Sequence, residues 1–341
     1  HGAGMGAAPL RDGVNTGGHM NIPSAGISDI ERIEMQYPFL YFTRGHNPDG
    51  SGFGQYRGGL GSHRIFWIYG SQDCSADYKP YGGVAQGGYG LCGGYPTGKS
   101  VLRYMVQGGM ELLERIRDGE YPDGTGMRDG TWGPVVHPDG VPERVALPEG
   151  SLLIDYVAGG GGFGDPLERD PSLVLQDFAR GWLRPKIAEE VYGVIFGKDA
   201  RTIDVAATQN LRERIRAERK EIGAAPSGKT SSLGGAQADG YSSVVRFHAS
   251  LEIARREGQH AIRCVHCNNL FCGPEENYKN YALRRIVDLN DYMDGSLPSG
   301  EPYIGEYHEY SCPGCQVQLQ VDLFCPPLGG DPILWDTRVD V

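Results

Sequence analysis

Two cysteine pairs constrain this chain more than any other feature: Cys264-Val-His-Cys267 and, further on, Cys312-Pro-Gly-Cys315. Four thiolates in two CxxC pairs suit a tetrahedral zinc ion, because each pair wraps one edge of the metal at Zn–S of about 2.3 Å. Two intervening residues return both sulfurs to the same side of a tight turn, and Pro313-Gly314 supplies the preset φ and the permissive glycine that such a turn favours. A site closed by four sulfurs has no open coordination position, so the reading is structural, with metal binding as folding free energy. The stretch between the pairs exceeds the roughly 15–20 residues of short ribbons, which places a hairpin or loop between them. A redox dithiol pair and disulfides are the competing readings. Cys272 and Cys325 lie close enough in sequence to replace a ligand, whereas Cys74 and Cys92 are remote. His266 would point away from a shared metal, and both His266 and His308 read as polar residues of a β-rich module.

With 341 residues and 39% hydrophobic content, the chain is long enough for two domains with ordinary cores. It has no apolar run of about 18 residues, so no membrane association is expected. Zinc-spaced cysteines without a secretion signal argue for a reducing cytoplasm. The net charge of -11 speaks against nucleic-acid binding, which needs a clustered basic face, and leaves a protein-contacting zinc module. The opening His1-Gly-Ala-Gly-Met-Gly6 has neither an initiator methionine nor the charged and apolar regions of a signal peptide. The expectation is a sequence that starts within a longer product.

Glycine is the compositional outlier, with 53 residues concentrated in the first half. Without a strict period they imply tight turns and close backbone approaches in a loop-rich fold containing strands. Ile30–Phe42, Ser62–Tyr69 and Ser151–Val157 read as strands from partial apolar alternation. Helical signals follow: Asp170 as N-cap with Pro171 at the first helical position, a second helix opened by Pro185, and residues 207–222, whose Arg and Glu residues read as a solvated face. Residues 223–243 are Gly, Ser, Ala and Pro with almost no bulky apolar residue, and read as a flexible linker. The expected fold class is α+β: a β-rich glycine-loop domain with a few helices, over 1–222, linked to a small β-rich zinc-ribbon-like domain over 244–341.

Gly93 to Ser100 formally satisfies the phosphate-loop expression, but the residues before it make a poor strand, so a surface or interface loop is the preferred reading. The Gly159–Gly164 run could present amides to an anion, yet close backbone crossing is favoured. His1, Asp12, His19, His46 and His63 could bind a metal or act as bases, but their irregular spacing gives no geometry.

Two resemblances add to this. Arg11-Asp-Gly-Val14, Glu31 through Tyr37-Pro38, Gly52 to Gly61, Gly159 to Pro166 and Val191-Tyr-Gly-Val194 resemble, in the same order, the carboxy-terminal portion of the hydantoinase B family. Cys264-Val-His-Cys267, Glu275 to Ala282, Tyr310 to Cys315 and Gln318 to Asp322 resemble the acetone carboxylase γ family, whose cysteines bind zinc.

The combination implies a subunit of a biotin-independent ketone carboxylase of the acetophenone carboxylase type, which makes a β-keto acid from a ketone and bicarbonate. It implies a hetero-oligomer using ATP and Mg2+ or Mn2+ in a hydantoinase A-like ATP-binding partner. Zn2+ would sit in this chain on Cys264, Cys267, Cys312 and Cys315. A full hydantoinase B subunit carries several hundred residues before the Arg11-Asp-Gly motif, so another chain supplies that portion or the N-terminus is cropped. No catalytic residue can be carried over. A non-catalytic assembly subunit and an ATP-dependent hydantoinase or oxoprolinase subunit are the alternatives.

Overall fold

Two of the expected strands form the middle of a five-stranded antiparallel sheet in the order β1-β2-β7-β4-β5. These are β1 (Phe39–His46), β2 (Ser62–Ile68), β4 (Leu102–Gln107), β5 (Val135–Val136) and β7 (Ser151–Tyr156), while β3 (Cys74–Asp77) pairs separately with β6 (Arg144–Leu147). The computed structural model describes residues 3–16, 29–77, 88–97, 102–107, 111–120, 135–136, 144–233, 239–292, 302, 304–335 and 337–338. Successive side chains of a strand point to opposite faces. Accordingly, Leu152, Ile154 and Tyr156 of β7 pack with Ile65 and Trp67, whereas Leu153 packs with Phe66 and Ile68.

The stretch Ile30–Phe42 is not one strand. Ile30–Gln36 is a helix, α1, and extended structure starts only at Phe39. Ile30 and Ile33 recur at the helical spacing of three, the Tyr37 amide donates to Ile33 O at 2.9 Å, and Glu34 Oε1 accepts the Tyr41 amide at 2.7 Å. A second short helix, α2 (Glu111–Arg117), puts Leu112 against the sheet.

Helix α3 (Pro171–Ala179) starts as its sequence predicts, with the Asp170 carboxylate accepting the Ser172 amide at 2.8 Å. Helix α4 (Pro185–Glu190) follows, and then α5 (Val205–Ile222), capped by Asp204 through the Ala207 amide at 2.9 Å. Thr208, Leu211, Ile215 and Arg219 form the buried stripe of α5. The expectation that the charges of this helix form a wet face therefore fails at Arg219, which is 4% exposed, for a reason that lies in its partner.

In the C-terminal part, β8 (Ser242–Arg246), β9 (Leu251–Arg256) and β10 (Gln259–Cys264) form one antiparallel sheet. Strands β11 (Leu283–Asp288), β12 (Glu306–Ser311) and β13 (Gln318–Phe324) form another, with the short helix α6 (Leu289–Tyr292) after β11. Leu251, Ile253, Ile262, Phe271, Tyr278, Tyr310 and Leu319 fill the space around Cys264 and Cys312. The Gly/Ser-rich stretch that precedes β8 runs along this part: Ala224 and Arg284 exchange backbone hydrogen bonds, and the amides of Ser227 and Ser232 donate to Asn280 O and Phe271 O at 3.0 and 2.9 Å.

One core joins the two parts. Phe53, Tyr95, Val174, Ile187 and Tyr192 pack with Leu289, Tyr292, Tyr307 and Val321, and each such fully buried side chain contributes about 1.5–3 kcal/mol.

The glycine-rich runs form a bundle of extended segments around Ala158–Gly164. Amides three residues apart share a neighbour: Gly4 and Ala7 donate to Ala158 O and Gly161 O, whereas Met5 and Ala8 donate to Val14 O and Arg11 O. Gly160 and Phe163 likewise donate to Gly59 O and Tyr56 O. A direction that repeats every three residues is that of the polyproline II helix, not the two-residue alternation of a strand. A Cβ at Gly58 or Gly160 would overlap the backbone of Gly160 or Met5, so these segments approach at a distance only glycine permits. No helix among the described residues is long and apolar enough to cross a membrane.

Candidate metal centre and the junction beneath it

The sequence places Cys264 at the end of β10 and Cys312 just after β12, and each begins the same turn. The amide of the fourth residue on, Asn268 or Gln316, donates to the carbonyl of the first cysteine at 3.0 and 2.9 Å. The amide of that cysteine donates to the residue after, Asn269 O or Val317 O, at 2.9 Å in both turns. Asn268 and Gln316 both take left-handed backbone, with φ of 61° and 60°. The chain thus builds two near-copies of one knuckle and sets them face to face.

The four sulfurs of Cys264, Cys267, Cys312 and Cys315 lie within 4.8 Å of one another. Cys264 and Cys315 are 3.8 Å apart, and Cys267 and Cys312 are 3.6 Å apart. A tetrahedron with Zn–S of about 2.3 Å has S···S edges of about 3.8 Å, so the cluster has the dimensions of a zinc site. A Cβ at Gly314 would lie 2.7 Å from Cys267 Sγ, which is why the second knuckle carries a glycine there. Cys264 and Cys312 are buried, with Cys267 and Cys315 nearer the surface. Hydrogen bonds to Cys264, Cys267 and Cys315 push the Cys312 thiol up, while its bond to Cys267 pulls that thiol down to about 7. Four sulfurs this close cannot all be thiolates without a cation between them, a charge that a divalent ion would supply.

The other candidate thiols lie outside the cluster. Cys272 Sγ donates to Glu276 O at 3.7 Å and Cys325 Sγ to Ile304 O at 3.9 Å. His266 turns its Nε2 to Ser250 Oγ at 3.2 Å. His308 is buried between Pro332 O at 3.0 Å and Glu306 Oε1 at 2.7 Å.

The second knuckle leads straight into the glycine bundle. Gln318 donates from its amide to Asp165 Oδ2 at 2.9 Å and from Nε2 to Gly93 O at 2.7 Å. Arg219 grips both oxygens of Asp165, at 2.7 and 3.0 Å, and also donates to Gln316 O and Gln318 Oε1 at 3.0 and 3.1 Å. Burial alone would raise the Asp165 carboxyl, but the charge and hydrogen bonds of Arg219 hold it below its ordinary value. A second buried junction links Tyr95 to Glu309, which Arg285 also binds at 2.6 Å. Burial first, then the Glu309 charge, pushes the Tyr95 hydroxyl well up. Neither junction was foreseen by sequence reasoning, because the partners are far apart in the chain.

The remaining sequence candidates do not assemble. Asp12 makes a bidentate pair with Arg169 at 2.7 and 2.8 Å, and Asp177 bridges Arg169 and Arg57. His46 packs edge-on against Trp182, and His63 Nδ1 meets His46 O at 3.1 Å. His1 and His19 lie outside the described residues, as do the last three residues of the phosphate-loop expression, 98–100. The described part of that loop is interface: the amides of Gly94, Tyr95 and Thr97 donate to Leu91 O, Phe53 O and Gly88 O. The amides of Gly159, Gly160, Gly162, Phe163 and Gly164 are likewise taken by carbonyls, which leaves them unavailable to an anion. Among the described residues, the four cysteines are the one metal-ligating cluster.

Two family models match separate segments of the chain. Residues 1–166 match the hydantoinase B/oxoprolinase family model, and residues 244–341 match that of the acetone carboxylase gamma subunit. The chain is 30% identical over 236 residues to the acetone carboxylase alpha subunit of Xanthobacter autotrophicus, covering 63% of this chain and 29% of the relative. It is 27% identical over 242 residues to the acetophenone carboxylase delta subunit of Aromatoleum aromaticum, covering 64% and 33%. A nucleotide-free acetone carboxylase structure superposes with a TM-score of 0.56 at 28% identity, covering 64% of this chain and 30% of that one. The chain thus spans about a third or less of the length of these relatives. Residues 1–166 are thus similar to the hydantoinase B/oxoprolinase family and residues 244–341 to the acetone carboxylase gamma subunit.

Proposed function

We propose that this chain is a zinc-bearing subunit of a biotin-independent, ATP-dependent ketone carboxylase that converts a ketone of the acetophenone type and bicarbonate to a β-keto acid. The observation that carries the reading is the joining of the two family segments over one shared core, with Gln318 of the second bound to Gly93 of the first. Cys264, Cys267, Cys312 and Cys315 hold a structural Zn2+, which crosslinks β10 to the turn before β13. ATP and Mg2+ or Mn2+ act in a hydantoinase A-like partner, and a further chain supplies the rest of the hydantoinase B sequence, so the reacting groups lie at sites this chain shares.

A second reading, a pure assembly subunit, is favoured by the internal use of the Gly159, Gly160, Gly162 and Gly164 amides, which carbonyls of this chain accept. The test is to purify the native complex through this chain and measure ATP hydrolysis with acetophenone, acetone, bicarbonate and hydantoin. Joint dependence on ketone and bicarbonate supports the carboxylase. Turnover with hydantoin and no ketone response overturns it. Labelling of this chain by a photoreactive ATP or ketone analogue separates a shared active site from a scaffold.

A further inference from the structure

The two knuckles are near-copies, but they differ in one contact. In each, the amide two residues past the second cysteine serves that cysteine's sulfur: Val317 N–H is hydrogen-bonded to Cys315, and Asn269 N–H to Cys267. The peptide that carries each of these N–H groups has at its other side the carbonyl of the left-handed residue, Gln316 or Asn268. Asn268 is exposed, and its carbonyl accepts no hydrogen bond among the described residues. Gln316 O, by contrast, accepts Arg219 Nη1 at 3.0 Å, from 97 positions earlier in the chain. Arg219 is 4% exposed, and it is anchored apart from the knuckle by both oxygens of Asp165.

A peptide unit is planar, so a partner that fixes the carbonyl also fixes the direction of the N–H on the other side. A guanidinium on the oxygen polarises the unit as well and makes the N–H a better donor, the cooperativity by which linked hydrogen bonds strengthen one another. A hydrogen bond to the charged form stabilises a thiolate, and a stabilised thiolate is a weaker nucleophile. We propose that Arg219 is a positioning residue for the metal centre, acting through the Gln316–Val317 peptide to aim and strengthen the amide that supports Cys315. A residue of α5, outside the zinc module, thereby sets the reactivity of one of the four ligands. Cys267, whose supporting peptide has no such partner, is the internal reference. The inference rests on the reading, under Proposed function, that the four cysteines hold Zn2+.

The experiment purifies the native complex through a tagged full-length chain, measures its zinc and treats the loaded protein with iodoacetamide. Peptide mass spectrometry then follows alkylation of Cys315 and Cys267 with time. The readout is the ratio of the two rates, because a general loosening of the module exposes both sulfurs and leaves their ratio in place. Arg219→Lys keeps a positive charge beside Asp165, but a single ammonium replaces the fork that spans Asp165, Gln316 and Gln318. The expected result is a Cys315 to Cys267 ratio raised by about threefold, below the roughly 10–100-fold effect of losing an outer partner of a metal ligand outright, since the amide remains and loses only its alignment. Arg219→Met should raise the ratio at least as far, and the lysine variant carries the test where the methionine variant does not fold. Asp165→Asn removes the counter-charge of Arg219 but leaves the guanidinium on Gln316 O, and should leave the ratio unchanged. An unchanged ratio in Arg219→Lys at full zinc stoichiometry overturns the proposal and keeps the zinc reading. A rise of the same size in Asp165→Asn also overturns it, by showing that the knuckle responds to any damage at the junction. An unaltered chain that purifies without zinc removes the zinc reading and the proposal together.

Discussion

Arg219, on the buried stripe of α5, holds both carboxylate oxygens of Asp165 and the backbone of Gln316, one residue past the last cysteine of the second knuckle. A single guanidinium thereby ties a helix, the end of the glycine run and the metal knuckle together. Breaking a buried ion pair from one side leaves an uncompensated charge, at a cost of about 3–5 kcal/mol. Arg219→Met is expected to lower stability by that order, and Asp165→Asn to do so by stranding Arg219. The pair Asp165→Asn with Arg219→Met should cost less than the sum of the single changes, which chemical denaturation of the four proteins measures.

The same carboxylate sets an acid limit. Its folded value lies below the ordinary one, so its contribution to stability is fully present above the unfolded Asp value of about 3.9 and is lost as pH falls through the folded value. Asp12 and Asp170 are lowered as well, Asp12 against its own burial by Arg169 and Asp170 mainly by the Ser172 amide. Urea midpoints should fall on acidification below about pH 4, with a shallower fall in Asp165→Asn than in the unaltered chain.

Removing the metal should be felt beyond the cluster. Cys312→Ser is expected to abolish stoichiometric zinc, measured by atomic emission, because apparent binding free energies of about 10–16 kcal/mol in structural sites depend on the full ligand set. Hydrogen exchange should then quicken at Gln316–Val321 and also at Gly93–Tyr95, which Gln318 holds. Cys325→Ser should leave zinc content unchanged, since its sulfur lies outside the cluster.

Glycines inside and outside the bundle should separate by what surrounds them. Gly160→Ala drives a methyl into Met5 and Gly6 and is expected to cost on the order of 3 kcal/mol. At Gly228, where φ is 73° but nothing lies within 4 Å, alanine meets only backbone strain and should cost about 1 kcal/mol. Thermal melts of the two variants test the contrast.

The cysteine cluster was legible because CxxC spacing writes a turn into the sequence, and the Asp170-Pro171 start because capping is local. Helix Ile30–Gln36 was hidden: it is seven residues long and buries none of them, so no apolar face announced it. Arg219 looked like one charge among many, since nothing within the helix distinguishes the arginine that will meet Asp165, 54 positions away. Tyr95 and Glu309 are 214 positions apart, and neither has a local signature. The bundle itself is invisible to hydrophobic periodicity because its repeat is carried by backbone amides and not by apolar side chains.

The bonds from Gln318 to Gly93 and from Gln320 to Gly90 set an order of events during synthesis. The acceptors at Gly90 and Gly93 emerge from the ribosome first and stay without these partners until 230 and 225 further residues follow. Pairings of such long sequence separation are slow to form, and unpaired extended segments invite association in the meantime. The nascent chain therefore carries an unfinished bundle while the intervening residues are made, and the later knuckle acts as the clasp that closes it.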